Sequence, residues 1–466
     1  MQAIIRNVYM VIKGTEEEKQ KVKDVLTFED NSAQYTHLYQ RSKWDGKVRL
    51  YRDKDFGLVT LPGFKDYLME KLGDKISFED NRERLIPKGD YWNISVKLRD
   101  YQEEAVLQAL KIQRGVILIP TAGGKTYIAA AILKGFLNCK CVYIVHRVVL
   151  LRQVKAVLES SLKESVGILG SGEMDLNHRV IVAMIGTLYS KSKTNKAVID
   201  WMNSVSVGIV DEVQHGSAKT YVSVLNRFQN MMSKIGLTGT LPDDEVVALR
   251  IRGVIGEVIY KIETKELSED GFVVMPKVTM VTGEWDVGLK AMIKGINWYK
   301  FGAEREAWNI VRRYGIVTNV MRNQKIVNVV KSYIDKGVRG IFVIVDMIEH
   351  GEILSQMLNV PFIYGGAKDR LDLFDDFKIG KIPVLVTSPV LEEGIDVTGI
   401  KMIVLAAGGK SKIKLLQRIG RGMRKQRNKF DCDIVDFYDQ EINLLEKHSD
   451  KRIKTYKEEG FLVEQS

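Results

Sequence analysis

Two short clusters of this 466-residue chain hold the residue types that phosphoryl chemistry requires. The first is Gly124-Lys125-Thr126, which closes the run GVILIPTAGGKT. Backbone amides of a glycine-containing loop and of a helix start bind phosphate oxygens. A lysine at that point reaches the β- and γ-phosphates, and the hydroxyl after it binds Mg2+. Pro120, Thr121, Ala122, Gly123, Gly124, Lys125 and Thr126 therefore form the candidate ATP loop, with Thr126 as a metal ligand. The usual phosphate-loop pattern has a glycine where this chain has Ile119. The second cluster is Asp211-Glu212, in VDEVQH. Asp211 suits Mg2+, and Glu212 suits the orientation or deprotonation of an attacking water.

Both clusters need a strand to carry them to one edge of a sheet, because open α/β sheets bind ligands at the C-terminal ends of their strands. The sequence supplies such strands. Gly115 to Ile119 reads as a strand, Pro120 to Gly124 as a loop, and TYIAAAILKGFL as the helix that follows. The run VGI leads into Asp211. Further short Val/Ile-rich runs are CVYIV and VIVAMI, then GIFVIV, PFIY, PVLVTS, KMIVLA and DIVDF. Continuous apolar runs bounded by turn residues suit buried parallel strands, and their alternation with helical patterns predicts two doubly wound α/β units. The reading is of residues 1–92 as a separate α+β unit, and 93–265 as a first α/β unit that carries the candidate ATP loop. Residues 266–309 read as a connecting segment, and 310–466 as a second α/β unit ending in a charged helical tail. No internal sequence repeat or low-complexity stretch is evident.

Composition narrows the partners. The formal net charge is +11, and 45% of residues are hydrophobic, enough for full-sized cores. Lys410 to Lys429 holds nine Lys/Arg and no acid, and a smaller cluster, RSKWDGKVR, spans Arg41 to Arg49. Concentrated positive charge points to a polyanion. Three cysteines make no disulfide framework, and Cys139-Lys-Cys141 lacks the spacing of a zinc site. The N-terminal run carries Arg6 and no long apolar stretch, so neither a secretory signal nor a membrane span is expected.

With these residues in order, the chain resembles the superfamily-two helicases. PTAGGKT resembles their looser loop, with Ala122 and Gly123 in place of a Gly-x order. VDEVQH resembles motif II, with Gln214 or His215 left to couple it onward. LRDYQEEAV resembles the adenine-reading segment, with Gln102 for the base edge and Arg99 nearby. GLTGTL resembles motif III, with Thr238 and Thr240. VTSPVLEEGIDV resembles motif V, with Gly394 and Asp396 near the nucleotide. LLQRIGRGMRK resembles motif VI, with Gln417 and Arg418 in the site. Arg421 and Arg424 stand three apart on one helical face as arginine fingers. The resemblance implies two RecA-like parallel-sheet motor domains in tandem plus the small N-terminal domain. It also implies ATP, Mg2+ and DNA as ligands and partners.

Linking segments narrow the likeness. GEVIYKIETKELSEDGFVV, LAAGGKSKIKLLQRIGR and RSKWDGKVRLYRDKDFGLVTLPGF are similar to phage UvsW-type recombination helicases. That implies unwinding and branch migration of forked, branched or single-stranded DNA in replication, recombination and repair. It also implies action as a monomer in the host cytoplasm. A duplex translocase or an RNA helicase is the alternative. The residues expected to grip strand phosphates are His146, Arg147, Thr187, His350 and Thr387. In the N-terminal domain they are Lys43, Lys47 and Arg49, with Trp44 either stacking on a base or belonging to the local core.

Overall fold

The computed structural model describes residues 1–30, 39, 43–214, 218–283, 285, 288, 304–365, 370–388, 399–423 and 432–465. They form two compact units: Met1–Pro120 with Gly124–Ile262, and Glu263–Ser466 with the loop residues Thr121–Gly123.

The first unit begins with strands β1 (Gln2–Ile5), β2 (Met10–Lys13), β3 (Thr27–Glu29), β4 (Lys47–Arg49), β5 (Tyr51–Lys54), β6 (Gly57–Thr60) and β7 (Ser77–Asp80). Five make one sheet in the order β5-β6-β2-β1-β7, while β3 and β4 pair separately. Helices Glu16–Val25 and Lys65–Leu72 accompany them. Their core of Ile5, Met10, Ile12, Leu58, Phe64 and Leu68 also takes in Leu249, from the helix Glu245–Val254 of the neighbouring α/β layer. A Cβ on Gly63 would lie 2.0 Å from the Arg252 carbonyl oxygen, so the two layers touch backbone to backbone there. The Arg252 guanidinium stands 5.1 Å above the Tyr67 ring, and Arg114 Nη2 donates to the Asn7 carbonyl at 2.7 Å. Residues 1–92 thus differ from the expected separate domain. Their apolar face is completed by the first α/β layer.

That layer holds β8 (Arg114–Leu118), β9 (Lys140–Val145), β10 (Gly167–Gly170), β11 (Glu173–Asp175), β12 (Val180–Met184), β13 (Val205–Asp211), β14 (Ser233–Thr238) and β15 (Val258–Lys261). The order is β11-β10-β12-β9-β13-β14-β8-β15, parallel except for β10 with β11. Residues 207–211 of β13 and all of β14 are buried, as strands covered on both faces must be. The helix Lys125–Gly135 is buried continuously from Ile128 to Leu133, the mark of a helix enclosed by its neighbours. In this order β14 lies between β8 and β13. Thr238, its last residue, therefore stands between the loop after β8 and the carboxylates that end β13.

The second unit holds β16 (Lys277–Thr282), β17 (Ile341–Ile344), β18 (Phe362–Ile363), β19 (Val384–Thr387), β20 (Met402–Leu405), β21 (Asp433–Tyr438) and β22 (Leu462–Gln465). They form a sheet in the order β18-β19-β17-β20-β21-β16-β22, with every described pairing parallel. Two expectations change here. The connecting segment 266–309 contributes β16, which is inserted between β21 and β22 with Val278, Met280 and Val281 buried. The charged tail is the helix Asn443–Glu458 followed by edge strand β22. That helix buries Leu445, Arg452 and Tyr456, because Asp436 on β21 accepts from Arg452 Nε at 2.7 Å and from the Tyr456 hydroxyl at 2.6 Å. No described helix is long and apolar enough to cross a membrane.

Candidate ATP-hydrolysis site

The loop after β8 turns through two left-handed residues, Ala122 at φ 72° and Gly124 at φ 77°. Gly124 is the N-cap of the helix that begins at Lys125. A Cβ there would lie 2.4 Å from Gln102 Nε2, so glycine is needed for space as well as conformation. The buried Gln102 is itself held in place. Its Oε1 accepts from the Arg99 amide at 3.0 Å, and Arg99 Nη1 donates to the Tyr101 hydroxyl at 3.0 Å. The adenine-segment glutamine thus packs directly against the phosphate loop. Ala122 takes a backbone conformation that L residues adopt at a cost of about 1–2 kcal/mol. The altered Ala-Gly order therefore places some strain in the loop.

Lys125 Nζ lies 3.1 Å from Glu212 Oε1 and 3.4 Å from the Ile119 carbonyl oxygen. Glu212 has φ 46°, a strained value that turns the chain sharply after β13. Its other carboxylate oxygen accepts from Gln214 Nε2, and Gln214 Oε1 accepts from the Thr238 hydroxyl. Gln214 therefore joins motif II to motif III; His215 lies outside the described residues. Lys125, Glu212, Gln214 and Thr238 form one connected relay.

Asp211 is buried at the end of β13. Burial raises its carboxyl to about 6, helped by the Glu212 charge and opposed by Lys125. Tyr143, fully buried on β9, faces Asp211 and Thr126 without reaching hydrogen-bond geometry. Burial, then the Asp211 charge, pushes this phenol well above its ordinary range. Asp211 Oδ1 has no hydrogen-bond partner among the described residues. An orphaned, buried carboxylate oxygen beside a helix-start hydroxyl fits a hard divalent cation. Mg2+ is commonly held by one or two carboxylates plus phosphates and water. No cluster of three His, Cys, Asp or Glu competes for it among the described residues. Asp211 and Thr126 are the residues that would hold Mg2+, which would offset charge on the phosphates.

The remaining candidates divide. His146 and Arg147 are half-buried where β9 gives way to the helix Val148–Leu162, and His146 stands close enough to Asp211 to lower that carboxyl. Thr187 is half-buried on the helix Ile185–Lys191. Lys43, Lys47 and Arg49 are exposed. Arg49 pairs with Asp45 at 2.5 Å. Trp44 is half-buried, and its indole N–H donates to the Lys47 carbonyl at 2.9 Å, so the ring braces its own turn. Two expectations fail. His350 is 1% exposed, with Nε2 3.0 Å from Asn323 Oδ1, and burial lowers it to about 3. It is a neutral core histidine, with no ring surface for a DNA phosphate. Thr387 is buried as well, and its hydroxyl donates to the Ser388 carbonyl at 3.1 Å. His350 sits on the buried face of the helix Ile348–Leu358, and Thr387 ends β19 inside the sheet.

Gln417 and Arg421 lie on the helix Lys412–Gly422, and Arg418 on the same helix is buried and paired with Asp346. Gly394, Asp396 and Arg424 lie outside the described residues, as does the Arg421 side chain. Asp346 was missed in the sequence, although it follows the strand run IFVIV as Asp211 follows VGIV.

The family described as the res subunit of type III restriction enzymes matches residues 95–243, and the helicase conserved C-terminal domain matches residues 319–426. The chain is a superfamily-two helicase. Such a helicase hydrolyses ATP and carries two RecA-like motor domains, here the sheets β8–β15 and β16–β22. Over 95% of its length this helicase is 24% identical to the ATP-dependent DNA helicase uvsW of Enterobacteria phage T4, covering 94% of that protein. It is 26% identical over 93% of its length to the putative helicase 22 of a Sulfolobus islandicus filamentous virus, covering 79% of it. Among solved structures it shares the fold of S. cerevisiae Dbp5 bound to RNA and ADP BeF3. That match has a TM-score of 0.53 at 16% identity and covers 79% of this helicase and 90% of the other chain.

Proposed function

We propose that this helicase is a DNA motor that unwinds and branch-migrates forked or junction DNA in phage replication, recombination and repair. The observation that carries the reading is the extent of the likeness to the T4 DNA helicase. It reaches across 95% of the chain, whereas the first motor family begins only at residue 95. In this reading Lys125 holds the β- and γ-phosphates, Asp211 and Thr126 hold Mg2+, and Glu212 activates water. Gln102 and Arg99 read the base, Gly394 and Asp396 line the nucleotide, and Gln417, Arg421 and Arg424 serve the transition state. Lys43, Lys47, His146, Arg147 and Thr187 hold strand phosphates, which carry no base code. The protein acts as a monomer in the host cytoplasm. The test is ATP-dependent strand displacement on forks, four-way junctions, plain duplex and RNA. Preference for branched DNA supports the reading, and equal activity on RNA overturns it.

A second reading, duplex translocation without strand separation, draws on the restriction-enzyme description of the first motor family. Displacement of a third strand from duplex, with no unwinding of forks, would favour it.

A further inference from the structure

Four residues of the ATP loop, Ala-Gly-Gly-Lys, recur later in the chain, followed by a hydroxyl residue in both places. Residues 122–126 read Ala-Gly-Gly-Lys-Thr, and residues 407–411 read Ala-Gly-Gly-Lys-Ser. Each run follows a buried parallel strand, β8 or β20, and each leads into an eleven-residue helix. Each turns through left-handed backbone, at Ala122 and Gly124 in the first and at Gly408 (φ 67°) and Gly409 (φ 100°) in the second. The helix registers differ. The first helix starts at the lysine, whereas in the second Ser411 is the N-cap and its hydroxyl accepts from the Lys414 amide at 3.4 Å.

The second loop borders a cavity of about 370 Å³ within the second unit. Its lining carries five Lys/Arg and one carboxylate, Asp346. Asp346 is already engaged by Arg418. Arg452, paired with Asp436, donates to the Gly409 carbonyl at 2.8 Å and so fixes the glycine turn. Arg312 and Lys414 are less committed. Arg312 Nε is buried with no hydrogen-bond partner among the described residues, and the exposed Lys414 makes no ion pair among them. The rings of Trp308 and His448, with centroids 4.7 Å apart and planes tilted by 57°, complete an aromatic wall.

A cationic recess at the C-terminal end of a parallel strand, backed by a glycine turn and a helix start, is built for phosphate oxygens. Its volume is that of a small-ligand site. We propose that this recess is a second phosphate-binding site. It takes one phosphate ester with its attached nucleoside, through Arg312, Lys414 and the Gly408–Ser411 turn. The same chemistry is offered by a free nucleotide and by one backbone phosphate of bound DNA.

The test uses the full chain with Arg312→Gln and Lys414→Gln combined, and Lys414→Gln alone as a surface change that leaves the fold in place. Two measurements distinguish the sources. The first is the number of equivalents of a fluorescent, non-hydrolysable ATP analogue bound per chain. The second is DNA affinity against salt. For a free-nucleotide site, wild type binds two equivalents and the double variant one. For a DNA-phosphate site, both bind one equivalent, and the variant's DNA affinity and salt slope fall, the slope by about one. Arg312→Lys with Lys414→Arg should restore the lost binding in either case. Unchanged stoichiometry together with unchanged DNA affinity and slope, in a double variant that melts like wild type, overturns the proposal.

Discussion

Lys125 Nζ and Glu212 Oε1 are 3.1 Å apart, so the loop lysine and the strand-end glutamate neutralise one another. In the proposed mechanism a polyphosphate entering the loop would compete with Glu212 for the same ammonium group, and a phosphate contact to Lys125 would release the glutamate for water. Lys125→Ala is expected to lower DNA-stimulated ATP hydrolysis about a hundredfold or more. Glu212→Gln should bind ATP near normally and turn over about 10²–10⁴ times more slowly. Steady-state hydrolysis beside nucleotide binding checks both. Wild-type turnover in either variant would remove this pair from the mechanism.

Asp211 gives the site a pH dependence. Its folded carboxyl titrates at about 6. The unfolded one titrates near about 3.9. Between these values the folded protein holds a proton that the unfolded chain has released, so stability falls as pH rises through that window. Melting curves across it should show the decline in wild type and lose it in Asp211→Asn. Mg2+-dependent hydrolysis should rise as pH passes upward through about 6, because only the carboxylate binds the cation.

The proposed role of Arg421 and Arg424 as arginine fingers is tested by separating affinity from turnover. Arg421→Ala and Arg424→Ala are each expected to lower turnover about 10³-fold or more while ATP affinity changes little. Equal losses in both would mean a ground-state contact.

His350 carries an opposite pH signature. Burial lowers it from 6.5 to about 3, so its contribution to stability is complete above the unfolded value and is lost as pH falls toward the folded one. His350→Ala should lower the melting temperature and leave DNA affinity per folded molecule unchanged. Loss of DNA binding by a variant that melts normally would restore it to the DNA-contacting set.

Deletion of residues 1–90 would expose Leu249 and remove the Asn7 carbonyl from Arg114, so the truncated chain should melt lower than the intact protein. Point changes separate recognition from stability. Lys43→Gln with Lys47→Gln should weaken junction binding at fixed salt without changing the melting temperature, since both side chains are exposed. Trp44→Ala removes the hydrogen bond to Lys47 and should lower stability first. Unchanged junction affinity in the lysine double variant would take this turn out of DNA recognition.

The sequence alone determined the two-sheet architecture and the place of the candidate ATP loop between a strand and a helix. Both are written locally: β-branched runs declare buried strands, and Gly124-Lys125-Thr126 and Asp211-Glu212 must follow such strands to meet a phosphate. Tertiary structure decided matters that depend on strand order and enclosure. Only the β13-β14-β8 order puts Thr238 between the two clusters, and so selects Gln214 as the residue that joins them. Only packing shows His350 on the buried face of its helix and Thr387 turned into the sheet, because a single polar residue in an apolar segment reads the same whether it is enclosed or faces solvent. The pairing of β16 and β22 joins Lys277 to Leu462, and the other buried residues of the cluster that seats Leu249 all lie between Ala3 and Ile76. No local pattern encodes such long-range contacts. They follow from the shape and the apolar area that each element has left to cover.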